Sequence, residues 1–104
     1  MRNIGIMDKP LNPNELKDAL EILPGWKNEN SRLGADFQFN TFVQAFSFMT
    51  AIALEAEKMN HHPDWSNSFN KVHISLITHE CGSVTDKDIL LARKIQHLAS
   101  VYRD

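Results

Sequence analysis

Two adjacent histidines, His61 and His62, stand in the run KMNHHPDW (58–65), directly before Pro63 and close to Trp65; a third, His79, lies near the end of KVHISLITHE (71–80). Imidazole is the side chain whose ordinary pKa falls nearest neutrality, so such a set suits proton transfer in either direction. It is also a common metal ligand, and His79 would supply a third nitrogen to the pair. Against a metal, adjacent side chains diverge, there is no HExxH pattern, and Cys81 is the only cysteine. Cys81 follows His79 by two positions, but a lone cysteine after a strand is more often inert packing than a nucleophile. Two readings of the histidine pair therefore stay open: acid/base chemistry, or imidazoles that merely cap a helix end.

Neighbouring residues carry the same ambiguity. Glu57 precedes His61 by one helical turn, where its carboxylate would orient a ring and favour its protonated form, or would simply be a solvated helix charge. Trp65 offers a flat wall for stacking, or an anchor for a short strand in the core. Asp88 sits where a first-turn carboxylate complements a helix dipole. His73 shares a strand face with His79 but lies roughly 20 Å away along an extended chain, outside any site that holds His79. His97 reads as a surface residue of the last helix.

The elements that must position these groups follow from periodicity. Asn12-Pro13-Asn14-Glu15 reads as a cap, a first-turn proline and a capping carboxylate, followed by Leu16, Ala19, Leu20 and Leu23 at helical steps until Pro24-Gly25. Leu33, Ala35, Phe37 and Phe39 alternate after Trp26, with Asn28 to Ser31 marking a hairpin. Thr41 and Gln44 have capping-box spacing, and Phe42, Phe46, Met49, Ala53 and Ala56 follow as one apolar row. Phe48, Ile52 and Met59 form a second row beside it. So wide an apolar face fits either a deeply buried helix or one that also packs on another subunit.

Pro63 disfavours helical geometry at the residue before it, so His61 and His62 are expected at this helix's C-terminus, where the dipole favours a protonated imidazole. A short strand then carries Trp65. Val72 to His79 reads as a longer strand with Val72, Ile74 and Leu76 on one face, ended by Gly82. Thr85-Asp86-Lys87-Asp88 caps a last helix lined by Leu91, Ile95, Leu98 and Tyr102. The order α-β-β-α-β-β-α predicts an α+β two-layer sandwich: a four-stranded antiparallel sheet with helices on one face.

The whole chain bounds the function. At 104 residues it is expected to form a single domain, 1–104, and its 42% hydrophobic and 23% charged content is that of an ordinary globular protein. A net charge of -2, with the basic residues scattered, offers no stripe for nucleic acid. The apolar stretch 42–56 is interrupted by Gln44, Ser47, Thr50 and Glu55, which argues against a membrane span. One cysteine and an N-terminus without a long apolar run make a cytoplasmic protein the expectation.

With HHPDW followed by KVHISLITHEC, the sequence resembles the pterin-4a-carbinolamine dehydratase family, whose animal member also serves as the dimerization cofactor of a homeodomain transcription factor. The family's pattern of an acidic residue, His-His-Pro, an aromatic, a histidine and a helix-opening aspartate falls on Glu57, His61-His62-Pro63, Phe69, His79 and Asp88. Phe69 stands where a tyrosine is common, so a hydroxyl contact there is lost. The likeness runs through FVQAFSFMTAIALEAEKMN and into DKDILLARKI.

That resemblance implies dehydration of 4a-hydroxytetrahydrobiopterin to quinonoid dihydropterin, the tetrahydrobiopterin recycling step that follows an aromatic amino acid hydroxylase, with no metal or other cofactor. It implies His61 and His79 as acid/base residues and His62 holding the pterin together with Glu57 and Trp65, while Pro63 and Asp88 support them. A homodimer or homotetramer is implied as well. The alternative is a binding module for a transcription factor, alone or alongside the enzyme activity.

Overall fold

The computed structural model describes residues 9–103; residues 1–8, on which the reading of the N-terminus rested, lie outside them, as does Asp104. The order is α1 (Pro13–Glu21), β1 (Lys27–Glu29), β2 (Arg32–Gln38), α2 (Phe42–Met59), β3 (Asp64–Ser68), β4 (Lys71–Leu76) and α3 (Asp86–Tyr102). The strands form one antiparallel sheet ordered β1-β2-β4-β3, and helices cover one of its faces.

Strand alternation divides the sheet cleanly. Leu33↔Leu76, Ala35↔Ile74 and Phe37↔Val72 pair across β2 and β4 toward the helices, while Gly34↔Ser75, Asp36↔His73 and Gln38↔Lys71 face the other way. The inward set meets Ala45, Phe48, Ile52 and Ala56 of α2 and Leu91, Ala92, Ile95 and Ala99 of α3, all buried. Fully burying a side chain such as Phe48 or Ile52 contributes about 1.5–3 kcal/mol. The two long helices pack on each other, and Lys94 bridges to Glu55 at 3.4 Å across them.

All three helix starts carry the expected capping boxes, from Asn12 to Glu15, Thr41 to Gln44 and Thr85 to Asp88. The first hairpin turns on Asn30 and Ser31, both at positive φ, as a turn matched to right-handed strand twist requires.

Of the two apolar rows on α2, Phe48 and Ile52 of the second fill the core together with Ala56 of the first, whereas Phe42 and Phe46 are about half exposed, joined by Val43 and Leu54. Periodicity finds a helical face but cannot say which of two adjacent faces meets the sheet. The last strand ends at Leu76 rather than His79, because Thr78 bridges to Ser83 in a tight loop that takes His79 off the ladder. Finally, α2 is stopped before Pro63 acts. Asn60 adopts the left-handed conformation (φ 52, ψ 43), and its N–H and that of His61 bond back to Glu57 and Ala56.

Candidate active site

Four pieces of chain converge at one end of the sheet: the C-terminus of α2, the start of β3, the loop after β4 and the N-terminus of α3. The left-handed turn at Asn60 reverses the chain at the helix end and sends the adjacent imidazoles different ways. His61 is buried, with 6% of its side chain accessible, whereas His62 is 57% exposed. Pro63 then launches β3 as an extended strand.

His61 Nε2 lies 2.6 Å from Asp88 Oδ1, and Asp88 is wholly buried at the first turn of α3. The other carboxylate oxygen accepts the Thr85 backbone N–H at 2.9 Å and the Thr78 hydroxyl at 2.8 Å. Thr78 and Thr85 hydroxyls meet at 2.7 Å; since Thr78 donates to Asp88, Thr85 donates to Thr78 and keeps its own lone pair for the Lys87 N–H. Every hydrogen in this network is thus assigned, and with Asp88 as a carboxylate the remaining donor must be His61 Nε2–H. In the neutral ring, Nδ1 of His61 then keeps its lone pair.

The other two site histidines make similar pairs. His62 Nε2 faces Glu57 Oε1 at 2.9 Å, and His79 Nε2 faces Asp64 Oδ2 at 3.3 Å. Asp64 is held in turn by Arg32 of β2, whose guanidinium nitrogen donates to Asp64 at 2.9 Å and to Ser75 Oγ at 3.0 Å. The bond from Arg32 holds the Asp64 carboxyl below its ordinary range, its charge and that of His79 adding to the effect and partial burial opposing it. Each histidine therefore turns Nε2 to its own carboxylate, and such pairs fix the ring and its tautomer.

Sequence-derived expectations fare unevenly in this geometry. Glu57 partners His62 across an exposed surface, not His61 one turn on, because the turn at Asn60 carries His61 inward. Trp65 pairs with Ile74 on the helix side of the sheet and packs on the core, half-buried. Asp88 is both a cap and the partner of His61. Phe69 sits at the distal β3–β4 turn with φ 53, exposed and far along the hairpin from the histidines. Cys81 is exposed, as is His97. Arg32, Asp64 and Thr78 were not singled out in the sequence, and Thr85 only as a helix cap. Asp64 and Thr78 each adjoin a motif residue, whereas Arg32 acts from another strand.

Among the described residues, one grouping has donor atoms close enough for a metal, and it lies elsewhere: Glu29, Asp36 and His73, within 4.8 Å of one another on the open sheet face. His73 Nδ1 bonds Asp36 at 2.8 Å and its Nε2 faces Glu29 at 3.4 Å, a cross-strand clamp over β1, β2 and β4. Gly34 makes room for it: a Cβ there would stand 2.0 Å from the Glu29 carboxylate.

Comparison with known proteins adds a second line. The family described as Pterin 4 alpha carbinolamine dehydratase matches residues 9–98. Relatives carrying the pterin-4-alpha-carbinolamine dehydratase name include one from Prochlorococcus marinus (strain MIT 9312), 44% identical over 88 residues, spanning 85% of this chain and 92% of the relative. Another, from Solibacter usitatus (strain Ellin6076), is 43% identical over 94 residues, 90% of this chain and 99% of the relative. Among solved structures, a transcriptional coactivator/pterin dehydratase from Brucella melitensis superposes with a TM-score of 0.86 at 40% identity, covering 88% of this chain and 99% of that one. A pterin dehydratase-like RuBisCO assembly factor of the alpha-carboxysome shares the fold at 23% identity and a TM-score of 0.59, over 71% of this chain and 86% of its own.

Proposed function

Because the chain belongs to the pterin 4 alpha carbinolamine dehydratase family, we propose that it dehydrates 4a-hydroxytetrahydrobiopterin to quinonoid dihydropterin and water by histidine acid/base catalysis. The observation that carries this reading is the pairing of His61, His62 and His79 each with its own carboxylate, around one end of the sheet.

The reaction needs two proton movements. The C4a hydroxyl leaves as water only when a proton reaches its oxygen, and the N5–H bond must break so that its electron pair forms the C4a–N5 double bond. Imidazoles suit both steps, each positioned transfer typically contributing about 10²- to 10⁴-fold. His61 and His79 take the acid and base roles, with Nδ1 as the working nitrogen of His61. His62 and Glu57, exposed together, hold the polar edge of the pterin, and the accessible part of Trp65 borders the ring. Pro63 fixes where β3 departs, and Asp88 holds His61.

The test is a stopped reaction coupled to a pterin-dependent aromatic amino acid hydroxylase, following loss of the carbinolamine. Acceleration by the purified protein is expected; a rate equal to the spontaneous one would end the enzyme reading.

A second role rests on a separate surface. Phe42, Val43, Phe46 and Leu54 form an exposed apolar face on α2, larger than a lone solvated helix keeps uncovered. A second copy of this chain covers it, giving a homodimer or homotetramer, and a transcription factor is the alternative occupant suggested by the coactivator name of the Brucella protein. No helix among the described residues is long and apolar enough to cross a membrane; action in the cytoplasm, where pterin recycling would take place, belongs to the same proposal.

A further inference from the structure

We propose that Asp64 and Arg32 are positioning residues for His79: Asp64 accepts a hydrogen bond from His79 Nε2–H, so that Nδ1 is presented to the substrate, and Arg32 locks Asp64 in place. This inference rests on the dehydratase reading for its consequence but not for its geometry.

His79 lies beyond the end of β4, in a loop whose backbone is held by Thr78 rather than by the sheet ladder. Nothing in that loop fixes the exposed imidazole, whose side chain is 64% accessible. The fixing group comes from β3. Asp64 faces the open side of the sheet, opposite Ser75, and its Oδ2 approaches His79 Nε2 at 3.3 Å. A lone exposed carboxylate would be a weak tether, because side-chain freedom and solvent screening cancel most of such a pair. Here Arg32 removes that freedom. It reaches from β2 across β4 to bind Asp64 at 2.9 Å and Ser75 at 3.0 Å, so the carboxylate is braced from two strands. The titratable or charged groups facing Asp64 are Arg32 from β2 and His79 from the loop, while β4 contributes the neutral Ser75.

The chemistry follows from imidazole's two nitrogens. A carboxylate on Nε2 favours the tautomer with Nε2–H, leaving the Nδ1 lone pair as base and Nδ1–H as acid after protonation. The Asp88 network imposes the same choice on His61 from the buried side. Asp64 touches no reacting atom; it acts through His79.

Two measurements on the intact protein decide the matter. In a carboxyl-detected NMR titration, the Asp64 carboxyl should titrate below the ordinary aspartate range, and the His79 ring resonances should show the same inflection. In Arg32→Gln both inflections should move together to higher pH, since the bond from Arg32 is the main cause that lowers Asp64. A His79 ring blind to the Asp64 titration would overturn the proposal. In turnover, Asp64→Asn should lower kcat about 10-fold with KM changed less than about 2-fold, and Asp64→Glu should recover most of the loss. An Asp64→Asn kcat within 2-fold of the parent, while His79→Ala is impaired, would also overturn it. If the parent protein fails to dehydrate the carbinolamine yet the shared inflection is present, the dehydratase reading falls and the tether stands.

Discussion

His61 and Asp88 lie 27 residues apart in sequence and meet at 2.6 Å in a buried contact, the imidazole at the end of one helix held by the first turn of another. The carboxylate that closes the capping box of α3 is the same one that orients the imidazole, so helix capping and ring orientation share one group.

Replacing that group exposes both roles. Asp88→Ala is expected to destabilise the fold by roughly 2–3 kcal/mol, through the loss of charge-assisted hydrogen bonds and the stranding of Thr78 and the Thr85 N–H. Urea unfolding followed by circular dichroism measures this. Activity per folded molecule should fall by one to two orders of magnitude, and an unchanged value would show that His61 needs no orientation.

The histidines should separate by burial. His79→Ala is expected to lower the dehydration rate by about 10²- to 10⁴-fold with an unchanged melting temperature, since the side chain is largely exposed. His61→Ala should lower the rate similarly and also reduce stability, because it leaves the buried Asp88 Oδ1 without its partner. Rates near the parent in both variants would sink the assignment of acid and base.

Asn60 is expected to matter through its backbone. Asn60→Ala forces a Cβ-bearing residue with no side-chain compensation into the left-handed region and should cost about 1 kcal/mol, whereas Asn60→Gly should be neutral or better. Chemical denaturation of the two variants compares them directly, and equal stability would argue that the turn is set elsewhere.

The Asp64 pair gives the acid side of the stability profile a sign. Its carboxyl is lowered in the fold from the ordinary 3.8, with the bond from Arg32 as the largest cause. The stabilisation is complete above the unfolded value and is lost as pH falls through the folded one. Stability measured from pH 6 down to pH 2 should therefore decline less steeply for Asp64→Asn than for the parent. An identical slope would show that the pair adds nothing to the fold.

Charging the outer face of α2 probes assembly. Phe46→Glu is expected to shift sedimentation toward the monomer while leaving dehydration intact, because Phe46 is exposed and remote from the histidine pairs. A parent protein that sediments as a monomer at micromolar concentration would remove the basis for the second copy.

Much of this architecture was legible because it is local. Capping boxes, the Pro24-Gly25 stop and the alternation of Leu33, Ala35, Phe37 and Phe39 are short-range patterns, and they gave the element order. The choice between the two apolar rows of α2 was not legible, since both Phe46 and Phe48 are hydrophobic and only tertiary packing decides which meets the sheet. The histidine motif marked the candidate site, but groups that complete it come from elsewhere: Asp88 from α3, and from β2 the arginine that braces Asp64. Asp64 sits within the run 58–65, but nothing local shows that this strand residue turns outward to meet a loop. Thr78 likewise reads as a strand residue until the loop closes on Ser83.

The dependence of His61 on Asp88 also orders events in time. A nascent chain that has emerged only through residue 80 already carries the His-His-Pro run and His79, yet it lacks the carboxylate that orients the first imidazole. On the proposed acid/base reading, competence for proton transfer arrives only when the final helix docks onto α2, so a half-synthesised form would not work, and a cleavage between β4 and α3 that frees this helix would silence the site without touching a histidine.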